Sequence, residues 1–336
     1  MTAHAMTRVD NAWLRMDTDV NLMMIVGVWL LKPAITVEAL RERVGTRLLR
    51  YERFGQKVVQ GLLGAEWVDD ADFDIRRHVV VEKLARRSGQ TARQALQQRM
   101  GELASTPLDP AHPLWCFHLV EHYEGGSASI CRIHHCVGDG IALNAVMLSI
   151  ADDGAEPPAL AHHLEHAHEH HQGDWIADEV VRPITGVAVK AIGATGDALV
   201  AALHALEHPL QTLLGLRDLA EGGRQLLSDA AALALMPDDA RTSLKGHGSG
   251  RKAVAWCEPL PLEPVKVVGK ALGASVNDVL LSCVAGAFGR YLREQGEDPT
   301  GQDIRALVPV NMRPLHEAWQ LGTRFGLVPL LVPVGI

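Results

Sequence analysis

The chain has 336 residues, a net charge of −8 and 47% hydrophobic residues, which is enough for two domains with sizeable cores. The acidic balance, with no basic stripe carrying interleaved aromatics, argues against a nucleic-acid surface. Cysteines stand at 116, 131, 136, 257 and 283 without a Cys-x-x-Cys pair, which suits reduced thiols in a cytoplasmic protein better than a disulfide framework. Residues 20–31 form the first apolar run. Asp10, Asp17 and Asp19 precede it, no small-residue cleavage pattern follows, and it is too short to cross a bilayer. It therefore reads as a fully buried central strand, and any membrane contact as peripheral.

Thr36 then reads as a helix N-cap, because Val37, Leu40, Val44, Leu48 and Leu49 follow at helical spacing. Short strands are expected at 56–60 and 66–68. Asp69, Asp70, Asp72 and Asp74 supply metal-type ligands, yet nothing nearby completes a set, so the stretch reads as a solvated acidic loop. A helix at 91–104 and a Pro107-Leu108-Asp109-Pro110 turn lead to strands at 115–122 and 127–133. Tyr123-Glu124-Gly125-Gly126 joins those strands as a hairpin. Residues 1–151 are thus expected to form one α/β layered domain.

The second hairpin strand ends in Ile133-His134-His135-Cys136-Val137-Gly138-Asp139-Gly140, and 141–148 reads as a helix. The histidines fall at a strand-to-loop junction, where Gly138 and Gly140 are expected to let the backbone turn sharply. Histidine can accept and return a proton near neutrality. Adjacent strand residues face opposite ways, so one ring would enter a cleft as general base and the other would pack or make structural hydrogen bonds. Asp139 is expected to tie the loop through an arginine and backbone N–H groups. The plainer reading is a turn bearing two surface histidines, in a chain with 17 of them. Cys136 suits a small buried filler beside the base, the other reading being a nucleophile.

Residues 152–245 form a connector of different composition. His162, His166 and His170 would align on one helix face and suggest zinc, but the run lacks a distant partner ligand and lies in an acidic stretch, so no metal site is assigned. Leu199, Leu203, Leu206, Leu210, Leu213 and Leu214 suggest amphipathic helices. These would pack on a domain or meet a lipid surface, although the Lys/Arg-rich face of an interfacial helix is missing. Residues 246–336 begin a second α/β region. A strand is expected at 252–258 and a helix at 262–272, with a second helix over 279–293 opened by Asn277-Asp278. A strand at 305–309 follows. Asn277 is either a helix-start residue or a side-chain amide donor at a helix N-terminus, where negative charge is favoured. The last ten residues are almost wholly apolar, and Pro329 and Pro333 suit an edge strand or crossover.

His134-His135-Cys136-Val137-Gly138-Asp139-Gly140 resembles the His-His-x-x-x-Asp-Gly signature of acyltransferases related to chloramphenicol acetyltransferase and peptide-synthetase condensation domains. Five further stretches fall in the expected order: Asp10-Asn11-Ala12-Trp13-Leu14-Arg15-Met16, Pro113-Leu114-Trp115, Ser275-Val276-Asn277-Asp278-Val279, Pro309-Val310-Asn311-Met312-Arg313 and Leu321-Gly322-Thr323-Arg324-Phe325-Gly326. Together they resemble the bacterial wax ester synthase/diacylglycerol acyltransferase family. The resemblance implies two chloramphenicol acetyltransferase-like domains, the second incomplete here because family members continue well beyond the Leu-Gly-x-x-Phe-Gly position. It implies transfer of a fatty acyl group from acyl-CoA to a long-chain alcohol or diacylglycerol. His135 would be the general base, with His134, Asp139 and Gly140 completing the loop and Asn277 or backbone N–H groups holding the oxyanion. Acyl-CoA would be a co-substrate, with no cofactor or metal, and the protein would be cytoplasmic or peripheral to a membrane or lipid body. The alternatives are a condensation-type acyltransferase with a carrier-bound donor and a catalytically silent lipid-body-associated protein.

Overall fold

Two nine-residue strands dominate the region that carries the histidines, and the turn between them, with a bulge between Val120 and Tyr123, sets their register. Trp115–Tyr123 (β6) and Gly126–His134 (β7) pair antiparallel, with Glu124 at φ 48° and Gly125 at φ 79° between them. Two consecutive left-handed residues give a hairpin turn whose twist matches that of the strands, and glycine adopts that conformation without strain. The computed structural model describes residues 3–61, 64–151, 240–311, 321–323 and 325–335. The expected helices at 199–214 and the histidine run at 162–171 lie outside the described residues.

Before the hairpin come Ala3–Ala5 (β1), Arg8–Met16 (α1), Met24–Leu31 (β2), Val37–Arg47 (α2), Gln56–Gly61 (β3), Gly64–Asp69 (β4), Ile75–His78 (α3), Val79–Val81 (β5) and Ala92–Ala104 (α4). After it come Gly140–Leu148 (α5), Leu262–Leu272 (α6), Val276–Glu294 (α7), Asp303–Asn311 (β8) and Phe325–Pro333 (β9). Thr36 and Thr91 cap α2 and α4 through their hydroxyls, and Gln94 completes a capping box at Thr91.

Among the described residues the strands make a four-stranded sheet in the order β2-β7-β6-β5, a three-stranded sheet β1-β4-β3 and a two-stranded sheet β8-β9. Every residue of β7 is buried. On one face of the four-stranded sheet, Trp115, Phe117 and Leu119 of β6 and Cys131 and Ile133 of β7 join a core with Leu40, Val44, Leu48, Phe54 and Trp67. On the other, Val120, Ala128 and Ile130 pack against Leu96, Met100 and Leu103 of α4.

Met1–Glu165, Gly248–Trp256 and Arg313–Arg324 belong to one compact unit, and His166–His247, Cys257–Met312 and Phe325–Ile336 to the other. In the second unit α6 ends at Gly273 in a left-handed conformation. Pro329 and Pro333 of β9 pair with Leu307 and Asp303 of β8. Among the described residues this sheet has two strands, both at an edge, where proline is tolerated.

Four expectations are corrected. Among the described residues the apolar strand β2 stands at the edge of its sheet and is half-buried, whereas β7 is central. Apolar run length does not report which strand gains two neighbours. No strand forms over 252–258. There the Lys252 amide donates to the Ser105 hydroxyl at 2.7 Å, and the chain passes so close to α4 that a Cβ at Gly101 would lie 2.6 Å from the Lys252 carbonyl oxygen. The helix expected from residue 279 begins at Val276, with Ser275 as N-cap and Asp278 reciprocating in a capping box; Asn277 is an exposed first-turn residue rather than the cap. The acidic loop is not simply solvated. Asp70 is buried against Lys57 (3.3 Å) and His112 (3.1 Å), Asp69 accepts from Gln56, and Asp74 caps α3.

Candidate active site

The site is a turn at the end of β7. The Val137 amide donates to the His134 carbonyl at 3.0 Å, closing the turn, and the His135 amide donates to the Met23 carbonyl at 2.8 Å. Met23 is held in turn by Asp17, whose Oδ1 accepts its amide hydrogen. His135 is thus fixed through its backbone to the segment between α1 and β2.

The two imidazoles have different surroundings, and because His134 ends β7 and His135 lies in the turn, the turn rather than alternation along a strand separates them. His134 is buried, and its Nδ1 accepts from the Cys136 amide at 3.1 Å. An Nδ1 that accepts an N–H leaves the ring proton on Nε2 in the neutral form, and that nitrogen faces Asp17 Oδ1 at 3.7 Å. Burial pushes the ring's pKa down, partly opposed by the Asp17 carboxylate. His134 is therefore a neutral strut between the turn and the end of α1.

His135 is half-buried and lies flat on Trp13 of α1, with ring centroids 4.2 Å apart and planes 15° apart. Its Nδ1 is buried and meets no partner but the residue's own backbone, which leaves Nε2 as the nitrogen able to serve a substrate. Burial pushes its pKa below the usual imidazole value, with its own backbone and the Asp139 carboxylate acting in the opposite direction. A ring biased towards the neutral form has an available lone pair near pH 7.

Asp139 is buried and caps α5, accepting from the Ala142 amide at 2.9 Å. Its own amide donates to the Gly322 carbonyl at 3.4 Å, and Gly138 bridges Gly322 in parallel. The backbone half of the anchoring expected of Asp139 is therefore in place. The backbone does turn sharply, at residues 135–137, but without a left-handed glycine, since neither Gly138 nor Gly140 has a positive φ. Gly138 instead serves close approach, since a Cβ there would lie 3.2 Å from Leu321 Cδ2, whereas Gly140 faces open space.

Cys136 is fully buried and its thiol pKa is pushed up, first by burial, which suits a packing residue rather than a nucleophile. Beside it lies a group that motif reading did not assemble. Asp10, fully buried on α1, accepts from the Thr323 hydroxyl at 2.9 Å and faces Arg53 at 3.6 Å. The Arg53 guanidinium sits 4.1 Å over the Trp67 ring; burial pushes its pKa down while Asp10 opposes that. Asp10, Trp13 and Asp17 thus reach three different parts of the site from α1 and its C-cap. Their spacing along one helix and its end was the available signal. Asn277 belongs to the other compact unit. Among the described residues no group of three or more His, Cys, Asp or Glu could hold a metal.

Residues 6–280 match the family model of the wax ester synthase/diacylglycerol acyltransferase catalytic domain. A probable diacylglycerol O-acyltransferase of Mycobacterium tuberculosis, tgs1, is 27% identical over 336 residues, 98% of this chain and 66% of that protein. Among solved structures, a wax ester synthase/diacylglycerol acyltransferase from Marinobacter aquaeolei VT8 is similar over 87% of this chain and 61% of its own, with a TM-score of 0.50 and 18% identity. The first condensation domain of a calcium-dependent antibiotic synthetase is similar over 98% and 69%, with a TM-score of 0.53 and 16% identity. These likenesses show the α/β fold that the histidine signature implied. The chain spans half to two thirds of the length of the curated relatives it matches.

Proposed function

The chain belongs to the wax ester synthase/diacylglycerol acyltransferase family, and from that premise we propose that it serves acyl transfer from acyl-CoA to the hydroxyl of a long-chain alcohol or diacylglycerol, with His135 as general base. The observation that carries this reading is the division of labour between the histidines. His134 is committed to the Cys136 amide through Nδ1, while His135 is backbone-fixed, ring-stacked and left with Nε2 to work.

Nε2 takes the hydroxyl proton as the alcohol oxygen attacks the thioester carbonyl carbon. The tetrahedral intermediate collapses by breaking the C–S bond, and the imidazolium returns the proton to the departing thiolate. The products are an ester and free CoA, and the histidine ends as it began. General-base help of this kind is worth ~10²–10⁴-fold. Asn277, exposed in the first turn of α7, is the proposed side-chain donor to the oxyanion; one such donor is worth roughly 10²-fold or more. Asp139 and His134 act by holding the loop, and Gly140 opens α5 beside it. Acyl-CoA, the lipid alcohol or diacylglycerol, and a membrane or lipid-body surface are the proposed partners. Among the described residues no single helix is long and apolar enough to cross a membrane; α6 and α7 pass that test only jointly, bent by 95°.

The test is transfer from palmitoyl-CoA to hexadecanol and to dioleoylglycerol, with no carrier protein present. Ester formation that His135→Ala abolishes while the circular dichroism spectrum is kept supports the reading. Equal turnover in His135→Ala and the parent overturns the general-base role. Transfer only from a carrier-bound donor favours a condensation-type enzyme, and no transfer above background favours a silent lipid-associated protein.

A further inference from the structure

In the proposed reaction the His135 ring is a cation between taking the proton and giving it back, and its aim must hold throughout. A histidine just past a strand end is free to turn about χ2 unless something fixes its plane, and a misaimed base loses rate steeply. Trp13 is placed to prevent this. α1 starts from a Thr7 hydroxyl cap, and Asp10 is tied to Thr323 and faces Arg53, so the helix is anchored one turn before Trp13. The indole then covers the imidazole face to face at 4.2 Å. Over a neutral ring such a stack gives dispersion; over an imidazolium it adds attraction between the cation and the indole π-face.

We propose that Trp13 is a positioning residue for His135: its indole fixes the plane of the imidazole and stabilises the imidazolium that forms when the base takes its proton. The inference rests on His135 being the base. Other groups bear on the same ring. Asp139 faces it from the start of α5. His134 adjoins it and itself faces Asp17 at the end of α1. The buried Cys136 thiol follows in the chain, beside Asp10 and Arg53. All of these are constant in a Trp13 series, so the contribution of the indole is read as a difference.

The experiment compares the parent, Trp13→Phe and Trp13→Leu by NMR titration of ring-labelled histidine, with His135→Ala identifying the resonance. The same proteins are assayed for the pH dependence of kcat/KM with palmitoyl-CoA and hexadecanol. Trp13→Leu is expected to lower the proton affinity of the His135 ring about tenfold, with Trp13→Phe between it and the parent. The acid limb of kcat/KM moves to lower pH by the same factor. The plateau kcat falls about tenfold or more while KM stays within about twofold. Identical ring titrations and acid limbs in all three proteins overturn the proposal. Should Trp13→Leu not fold, Trp13→Phe decides alone, and an unchanged ring titration there overturns it. If His135→Ala keeps parental turnover, the general-base reading fails, and the ring titrations still report separately on the stack.

Discussion

On one face of the four-stranded sheet, Trp115 and Phe117 meet edge to face at 5.3 Å, and Trp115 lies against Phe54 and His78. On the other face, Val120, Ala128 and Ile130 make a smaller apolar core against α4, and Cys116, His118, Arg132 and His134 of the same strands add polar groups to it. His118 Nδ1 faces Glu82 at 3.3 Å, Arg99 of α4 pairs with the same Glu82 oxygen at 3.0 Å, and Arg132 donates to the carbonyls of Thr106 and Pro107. The first face gains its stability from the area it removes from water. The second must satisfy each ionisable group individually, because a buried polar group without a partner is costly. The strand that delivers the histidines therefore has one side that is mainly aromatic and aliphatic and tolerates little loss of volume, and a mixed side whose ionisable groups respond to pH. His134 is the last residue on the mixed side, and the turn to His135 leaves that face.

The largest break in this contrast is expected from Trp115→Ala. It removes a fully buried aromatic and its indole hydrogen bond to the Phe54 carbonyl, a loss of about 3–5 kcal/mol. Urea unfolding followed by hydrogen exchange at the β6–β7 amides should show it; a loss no larger than a surface substitution gives would refute the account of the first face. A smaller effect is expected on the mixed side from Arg132→Met, which keeps length and removes the donor. The Thr106 and Pro107 carbonyls just beyond α4 then lose a charged partner, at about 1–3 kcal/mol. Unchanged exchange protection in α4 and β7 would show that Arg132 does not serve as their anchor.

Secondary structure near the site was legible where its cause was local. The hairpin connection at Glu124-Gly125, the Thr36 cap, the helix that follows Thr91 and the backbone anchoring by Asp139 each act within a few residues of themselves. What escaped was long-range. Nothing near Trp13 announces that its partner is His135, and nothing in the 20–31 run says that it stands at a sheet edge. Asp17 read only as an acidic residue ahead of an apolar run, yet it orders both Met23 and His134. The Lys252 segment has the composition of a strand and instead spends its amide on a serine hydroxyl. In each case a tertiary contact decided the outcome.

A finer test of the mixed face uses pH. Burial pushes the His118 pKa from 6.5 down to about 4, with Arg132 adding to the shift and Glu82 opposing it. The unfolded chain then binds a proton that the folded chain refuses, so stability is fully present above pH 6.5 and is lost progressively as pH falls towards 4. His78, His134 and His135 are shifted in the same direction and add to the slope. His118→Gln should flatten the decline in urea midpoint across that window; an unchanged slope would mean that His118 is already protonated in the folded chain.

The Asp139 amide and Gly138 both find their partner at Gly322, far along the chain. During synthesis at about 5–20 residues per second, the histidine turn emerges and then waits on the order of ten to forty seconds for that partner to leave the ribosome. β6 and β7 can pair as soon as they emerge, and the turn can close on His134 and Met23, but the Gly322 contacts of Gly138 and Asp139 form only after that interval. The nascent chain thus carries the histidine turn before its last backbone partner exists, and translation speed between the two glycines sets how long it does so.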